Sequence, residues 1–194
     1  NGLGDLLTTG GGSVPRYTEM ARRGNGYATM ATSAVAGLVV RPTTTAALEL
    51  YNGHATKSMV IDRIFSHELV TSTTGLGGGA GIWAMVTTPK SAPTEASLAI
   101  RGTTGKVYTG SVVTAVGTTV VANGWFPWGA TVKKESAGAV VPGGQLEAGI
   151  NGRIIVPPGC SLCVHVVSGY TGDTFCSGAS WYEKEFRSPS NPLL

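Results

Sequence analysis

The residues with the most obvious chemical potential are Cys160 and Cys163, in a Cys-x-x-Cys spacing, and His165 two residues later. A structural zinc site needs four ligands. The only further candidates are Cys176, His54 and His67. In an extended strand, residues three apart point to opposite faces, so the two thiols cannot converge on one ion unless the chain bends between them. The pattern favours small buried side chains over a metal site.

The same spacing argues poorly for redox chemistry. A thioredoxin-type motif needs a helix after its first cysteine to lower the thiol pKa, and strand formers follow Cys160 instead. A disulfide between Cys163 and Cys176 would require their strands to be neighbours. With three cysteines, at least one thiol has no partner within the chain.

Other catalytic patterns are equally weak. His54, His67 and His165 form no His-x-His pair, and the neighbours Ser66, His67 and Glu68 would face alternate sides of a strand. Residues 75–80 formally match G-x-G-x-x-A, but strand formers follow where a dinucleotide site needs a helix. The sequence therefore predicts no catalytic, cofactor-binding or metal-binding residue, and no enzyme.

A dense aromatic cluster is formed by Trp125, Phe126 and Trp128 around Pro127. Exposed in a loop, such rings stack on sugars or anchor a protein partner. Folded inward, one of them would close the end of a core. The sequence leaves both interpretations open, so these three residues are predicted contacts for a glycan or partner.

The composition indicates which elements position these residues. The chain has 29 glycines in 194 residues, 42% hydrophobic residues and only 13% charged residues, typical of a β-rich protein with much of its surface covered. Another copy of the chain is the simplest cover. A net charge of +3 without a long basic run does not support a nucleic-acid groove, and no apolar run approaches the roughly 18 residues of a membrane span.

From Thr32 onward, short apolar runs alternate with turn residues, which predicts an all-β sandwich. Alternation puts Leu162, Val164 and Val166 on one face of their strand. Five of the six asparagines precede glycine, a hairpin-turn signal, with Asn52-Gly53 and Asn151-Gly152 between apolar runs. Two sheets with an aromatic closing strand predict a jelly roll. The predicted strands include residues 35–41, 46–51, 58–71, 94–101, 137–141, 145–148, 152–156, 161–168 and 174–184.

The first 30 residues have glycine clusters and no sustained periodicity, so we expect an extended N-terminal arm laid across neighbouring subunits. The body is predicted at 31–186 and a C-terminal tail at 187–194. Because the chain begins with Asn, we also expect some trimming of its N-terminus. The arm residues predicted to contact a neighbour are Leu6, Leu7, Tyr17, Arg22 and Arg23.

Two stretches carry a family resemblance: ALELYNGHATKSMVIDRIFSHEL at 47–69 and GRIIVPPGCSLCVHVVSGYTGDTFCSGASWYE at 152–183. Together they resemble jelly-roll structural proteins of tailed phages and environmental viruses. The resemblance implies a virion component without catalytic residues or cofactors, either capsid-decorating or head- or tail-associated. Its partners would be copies of itself, commonly three, and other virion proteins. The alternative is a glycan- or receptor-binding β-sandwich that uses the aromatic cluster.

Overall fold

The computed structural model describes residues 16–70, 79–96, 98–121, 124–132, 145–170 and 172–185, with only the backbone described for 130–132. Within these ranges there are one short helix and eleven strands. Their bounds are α1 Arg16–Arg22, β1 Gly26–Met30, β2 Val35–Ala36, β3 Thr45–Asn52, β4 Lys57–Val70, β5 Gly79–Val86, β6 Arg101–Gly102, β7 Val112–Thr119, β8 Phe126–Val132, β9 Gln145–Val156, β10 Ser161–Ser168 and β11 Thr174–Glu185.

The strands form two antiparallel sheets packed face to face, which confirms the predicted all-β sandwich. The first sheet has the order β6-β1-β11-β4-β9, with β2 also paired to β11, and the second has the order β7-β3-β10-β5-β8. One continuous apolar core lies between them. Its largest fully buried members include Trp181, Leu48, Leu50, Ile61, Ile64, Ile82, Ile150 and Leu162.

Alternation along the strands assigns the faces as the sequence predicts. Leu162, Val164 and Val166 of β10 lie in the core between the sheets, and Cys163 belongs to a second, smaller apolar cluster on the outer side. Because side chains alternate with period two, a single strand contributes to both clusters.

The outer face of the second sheet is covered in part by the chain itself. Glu49, Cys163 and His165 on this face are at most 1% exposed. The connections that follow β5 and β7 are held there by hydrogen bonds, such as Lys90 N to Gly159 O (2.9 Å) and Val120 N to Thr44 O (2.7 Å). Over this area the chain itself supplies cover, and cover of the remaining surface by a second copy stays a prediction.

The folded body begins earlier than the predicted boundary at residue 31. Strand β1 lies inside the first sheet, between β6 and β11, and pairs with β11 from Gly26↔Tyr182 to Met30↔Gly178. Helix α1 precedes it and packs on the same sheet. Tertiary pairing thus orders a segment whose own sequence has little periodicity. Residues 16–30 of the predicted arm therefore belong to the folded body. Residues 1–15 lie outside the described ranges.

Asn52-Gly53 is not a hairpin turn, because β3 and β4 belong to different sheets. The Asn52 side chain is fully buried and instead fixes this crossing. Its Nδ2 donates to Lys57 O (2.8 Å) and Val156 O (2.9 Å), and its Oδ1 accepts from the backbone N–H of His54 (3.1 Å). A carboxamide that bonds to three backbone groups costs little to bury, and it fixes the connection between the two sheets.

Asn151-Gly152 is also not a hairpin turn, because β9 runs through it from Gln145 to Val156. Both residues have positive φ angles, 51° and 79°. Opposite them, Asp62 is the only β4 residue between the positions that pair with Gly149 and Ile154. The positive φ values that favour a hairpin turn here make a bulge within one long strand.

Two predicted strands are largely irregular. Of 35–41 only β2 belongs to a ladder, and of the described residues in 94–101 only Arg101 does. The predicted strand at 137–141 and the tail at 187–194 lie outside the described residues.

Candidate functional site

The predicted aromatic cluster is divided among three environments. Trp125 is 2% exposed and packs in the outer apolar cluster, where its Nε1 donates to Thr43 O at 2.9 Å. Phe126 is 63% exposed. Trp128 is half-buried against the main core, with the Arg153 guanidinium 5.4 Å from its ring centroid. Of the three rings, Phe126 is the one open to a glycan or partner, and the cluster is not a flat aromatic platform.

The predicted arm residues that the structure describes make contacts within the chain. Tyr17 lies on α1 and its hydroxyl donates to Tyr27 O at 3.3 Å. Arg22 ends the helix, and Arg23 pairs with Glu19 one turn earlier at 2.8 Å. Leu6 and Leu7 lie outside the described residues. Contact of these residues with a neighbouring subunit stays a prediction.

All three cysteines are buried free thiols. A disulfide between Cys163 and Cys176 would require neighbouring strands, but Cys163 lies in the second sheet and Cys176 in the first. Burial, with the Glu49 carboxylate nearby, raises the pKa of Cys163 far above its ordinary value, and burial lowers the pKa of His165. Among the described residues, no three His, Cys, Asp or Glu side chains converge as metal ligands would.

A groove of about 590 Å³ lies on the outer face of the first sheet, a position that the sequence did not indicate. We call it the first-sheet groove. Strands β4, β9, β11 and β1 form its floor, while Tyr17 and Thr18 of α1 and Thr103 stand beside it. The polar side chains on its strands are Asp62, Arg63, Gln145, Glu147, Asn151 and Ser180.

Bulges place two of these polar groups in the groove. Asp62 has no register partner in β9 or β11, since both ladders pass from Ile61 directly to Arg63. Asn151 belongs to the bulge of β9 on the other side of the same irregularity. Bulges re-aim side chains that would otherwise alternate between faces, and here they bring a carboxyl and a carboxamide to one groove.

An aromatic ring and a glycine shape the groove floor. Phe65 and Gly178 are directly opposite in the β4–β11 ladder. A side chain at Gly178 would collide with the Phe65 ring and would lie 2.6 Å from Thr29 O. The Phe65 ring therefore occupies the space beside the glycine, and Phe65 also lines the groove.

The electrostatics of the groove are mixed. Arg63 and Glu147 form an ion pair at 3.2 Å with both side chains about half exposed. Burial raises the pKa of the Asp62 carboxyl above its ordinary value, with Glu147 adding to the rise and Arg63 and Ser180 opposing it. Burial likewise raises the pKa of Tyr17. The groove thus offers hydroxyl, carboxyl, amide and guanidinium groups together.

A second polar site lies over β3 on the other sheet. Glu49 Oε1 accepts from Lys90 Nζ and from Ser161 Oγ, both at 2.7 Å, and Glu49 is fully buried. The neighbouring cavity of about 510 Å³ is lined by Glu49, Lys90 and the loop that follows Lys90. The hydrogen bond from Lys90 to Glu49 attaches this loop to the sheet.

A third polar cluster connects Glu183 of β11 with His54, which follows β3, and Tyr108, which precedes β7. The Glu183 carboxylate accepts from the Tyr108 hydroxyl at 2.6 Å and lies 3.0 Å from His54 Nε2. The Tyr108 ring meets Tyr27 edge-on at a centroid distance of 4.9 Å. Burial, followed by the hydrogen bond to Glu183, raises the pKa of Tyr108 far above its ordinary value. The sequence does not predict this cluster, because Tyr108 is 54 residues from His54 and 75 residues from Glu183.

No helix among the described residues has the length and apolar character needed to cross a bilayer. Comparisons with family models, with curated proteins and with solved structures found no match for this chain.

Proposed function

We propose that this chain is a non-enzymatic structural subunit of a virus particle, with a jelly-roll body that assembles with copies of itself, as three in the simplest case, and with other virion proteins. Its place would be on the capsid surface or at the head or tail of the particle. The N-terminal residues before α1 would reach a neighbouring subunit.

The strand order supports the jelly roll. Eight strands, β1, β3, β4, β5 and β8–β11, pair in a nested way: β1 with β11, β3 with β10, β4 with β9 and β5 with β8. This is the pattern expected when one long hairpin of four strand pairs wraps over two sheets. Jelly rolls of eight strands are common in viral capsid proteins, and also in lectins and cupins. Fold alone does not assign a function, so the assembly role needs a surface as well.

An exposed apolar patch carries the assembly role. It consists of Val39, Val40, Val121 and Phe126, which are 49%, 66%, 75% and 63% exposed. The two segments that hold them run side by side, since Arg41 Nη2 donates to Trp125 O at 3.3 Å and Val120 N to Thr44 O at 2.7 Å. Exposed apolar side chains gathered in one patch mark sites of interaction with other proteins. We call this surface the valine patch.

Light scattering coupled to size-exclusion chromatography tests the proposal. We expect a discrete oligomer at micromolar concentration, and we expect Val121→Asp in the valine patch to shift it to monomer, because a buried unpaired charge is costly. Val107→Asp is the matched control: Val107 is 63% exposed and lies outside the patch.

A monodisperse wild-type monomer up to about 0.1 mM would contradict self-assembly at any affinity of structural use. Dissociation by Val107→Asp to the same extent as by Val121→Asp would contradict the valine patch as the contact surface. Negative-stain electron microscopy of the purified oligomer would distinguish a closed ring or trimer from an open lattice.

A further inference from the structure

The first-sheet groove has the size and the pre-formed geometry of a ligand site. Its volume of about 590 Å³ falls within the range of small-molecule sites in proteins. Its floor is a paired sheet, and the helix at its side is fixed by the hydrogen bond from Tyr17 to Tyr27 O. A site built on strands binds without first having to order itself, which favours affinity.

The polar groups in the groove complement hydroxyls. A sugar hydroxyl donates one hydrogen bond and accepts others, so a site for vicinal hydroxyls needs donors and acceptors side by side. Arg63 donates, and Glu147, 3.2 Å away, accepts. The carboxamides of Gln145 and Asn151 do both, as does the Ser180 hydroxyl.

The charges in the groove exclude an anionic ligand. Among the described residues that line the groove, Arg63 is the one cation, and it is already paired with Glu147. Asp62 adds a second carboxyl, so a phosphate, sulfate or carboxylate would meet more negative than positive charge. A purely apolar ligand would leave these groups without partners, which costs free energy for each one that is desolvated. A neutral, hydroxyl-rich ligand fits both conditions.

The groove also has apolar surface for a sugar ring. The Phe65 ring packs against Gly178 and also borders the groove. Tyr17 contributes a second ring at the side and Ala28 a small residue in the floor. The C–H face of a pyranose packs on such rings while its hydroxyls reach the polar groups.

From these observations we propose that the first-sheet groove binds a neutral saccharide. The binding site is distinct from the aromatic cluster at Trp125, Phe126 and Trp128, and it lies on the opposite sheet from the valine patch. Binding therefore does not depend on the assembly role, and the two are measured separately.

The probes are neutral oligosaccharides of about four to six units, long enough to extend beyond a groove of ligand-site size: gluco-, xylo- and N-acetylglucosamine oligomers. Heparin hexasaccharide serves as the anionic comparison. Isothermal titration calorimetry of the full chain gives the affinities, and ¹⁵N-edited NMR of the same samples locates the contacts. We expect one of the neutral series to bind at least tenfold more tightly than heparin hexasaccharide and to shift the amides of β4 and β9.

Two substitutions at exposed positions test the groove without disturbing the core. Gln145→Ala removes a direct hydrogen-bond partner, and Glu147→Gln replaces a charged acceptor, paired with Arg63, by a neutral amide. Each substitution is expected to weaken binding about tenfold. Glu185→Gln is the matched control for charge: Glu185 is exposed at the end of β11 and bonds Thr56 instead. Phe126→Ala controls for the aromatic cluster, and both controls should keep the affinity within about twofold. Thermal unfolding of each variant checks that it is folded.

Several results would overturn the proposal. These are absence of binding by all the neutral probes at about 10 mM, binding of heparin hexasaccharide as tight as that of any neutral probe, or unchanged affinity in both groove variants. Loss of saccharide binding in Phe126→Ala with the groove variants unaffected would move the site to the aromatic cluster and overturn it as well.

Discussion

We predict that removing Lys90 from its ion pair with Glu49 destabilises the fold more than removing the Glu49 charge does. Glu49 is fully buried, while the Lys90 side chain is 28% exposed and can turn to water. In Lys90→Met, the carboxylate keeps the Ser161 hydroxyl as a donor and loses its counter-ion. Breaking a buried pair in this way costs about 3–5 kcal/mol, and we expect about 3 kcal/mol here because Lys90 is partly screened by solvent.

The reverse substitution should be milder. In Glu49→Gln, the freed ammonium is solvated and Ser161 can still donate to the amide oxygen, so we expect a loss of about 1–2 kcal/mol. The double variant should lose less than the sum of the two single losses. Urea unfolding at pH 7 measures all three, provided the m-values agree.

Lys57→Met is the matched control, because Lys57 is exposed at the start of β4, and we expect a change within about 0.5 kcal/mol. Equal losses for Lys90→Met and Glu49→Gln, or a larger loss for Glu49→Gln, would refute the reasoning that burial of the carboxylate dominates. A loss below about 1 kcal/mol for Lys90→Met would show that the pair contributes no more than a surface ion pair does.

Three further predictions follow from burial and packing. The raised pKa of Tyr108 means that the folded chain keeps a proton that the unfolded chain loses near pH 10, so stability should fall as pH rises above about 10, and Tyr108→Phe should make this fall less steep in pH-dependent urea titrations. Gly178→Ala should cost about 1–3 kcal/mol because its methyl group would meet Thr29 O at 2.6 Å and the Phe65 ring, whereas Gly149→Ala, with its nearest atom at 3.5 Å, should be close to neutral in thermal unfolding. A thiol reagent such as Ellman's reagent should label the native protein slowly, because burial raises the pKa of each thiol, and should label all three in urea; fast labelling of the native chain would contradict the buried positions of Cys160, Cys163 and Cys176.

Much of the sandwich could be predicted from the sequence because strand alternation is a local property. The core-facing residues of β10 and of β11 follow directly from a period of two, and the absence of a second Cys/His pair already argued against a zinc site at Cys160 and Cys163. The cover of the second sheet could not be predicted, since it depends on where the loops after β5 and β7 return.

The first-sheet groove escaped sequence reasoning for a related reason. Its polar residues come from segments far apart in the chain, and Asp62 and Asn151 reach it through paired irregularities whose location depends on the register of β4 against β9. Register is set by neighbours in space, so no local pattern at Asp62 distinguishes a bulged residue from an ordinary strand residue.

The two Asn-Gly pairs at 52–53 and 151–152 show what the sequence determines and what the tertiary structure decides. The sequence by itself determined that Asn151 and Gly152 adopt positive φ angles and that Asn52 ends a strand, because these are intrinsic preferences of the residue types. Only the tertiary structure decided that Asn151-Gly152 makes a bulge inside β9 and that Asn52-Gly53 leads from one sheet to the other. The outcome depends on which strand lies alongside, and that is decided by packing between residues far apart in the chain: the Asn52 carboxamide bonds to Val156 O, 104 positions away.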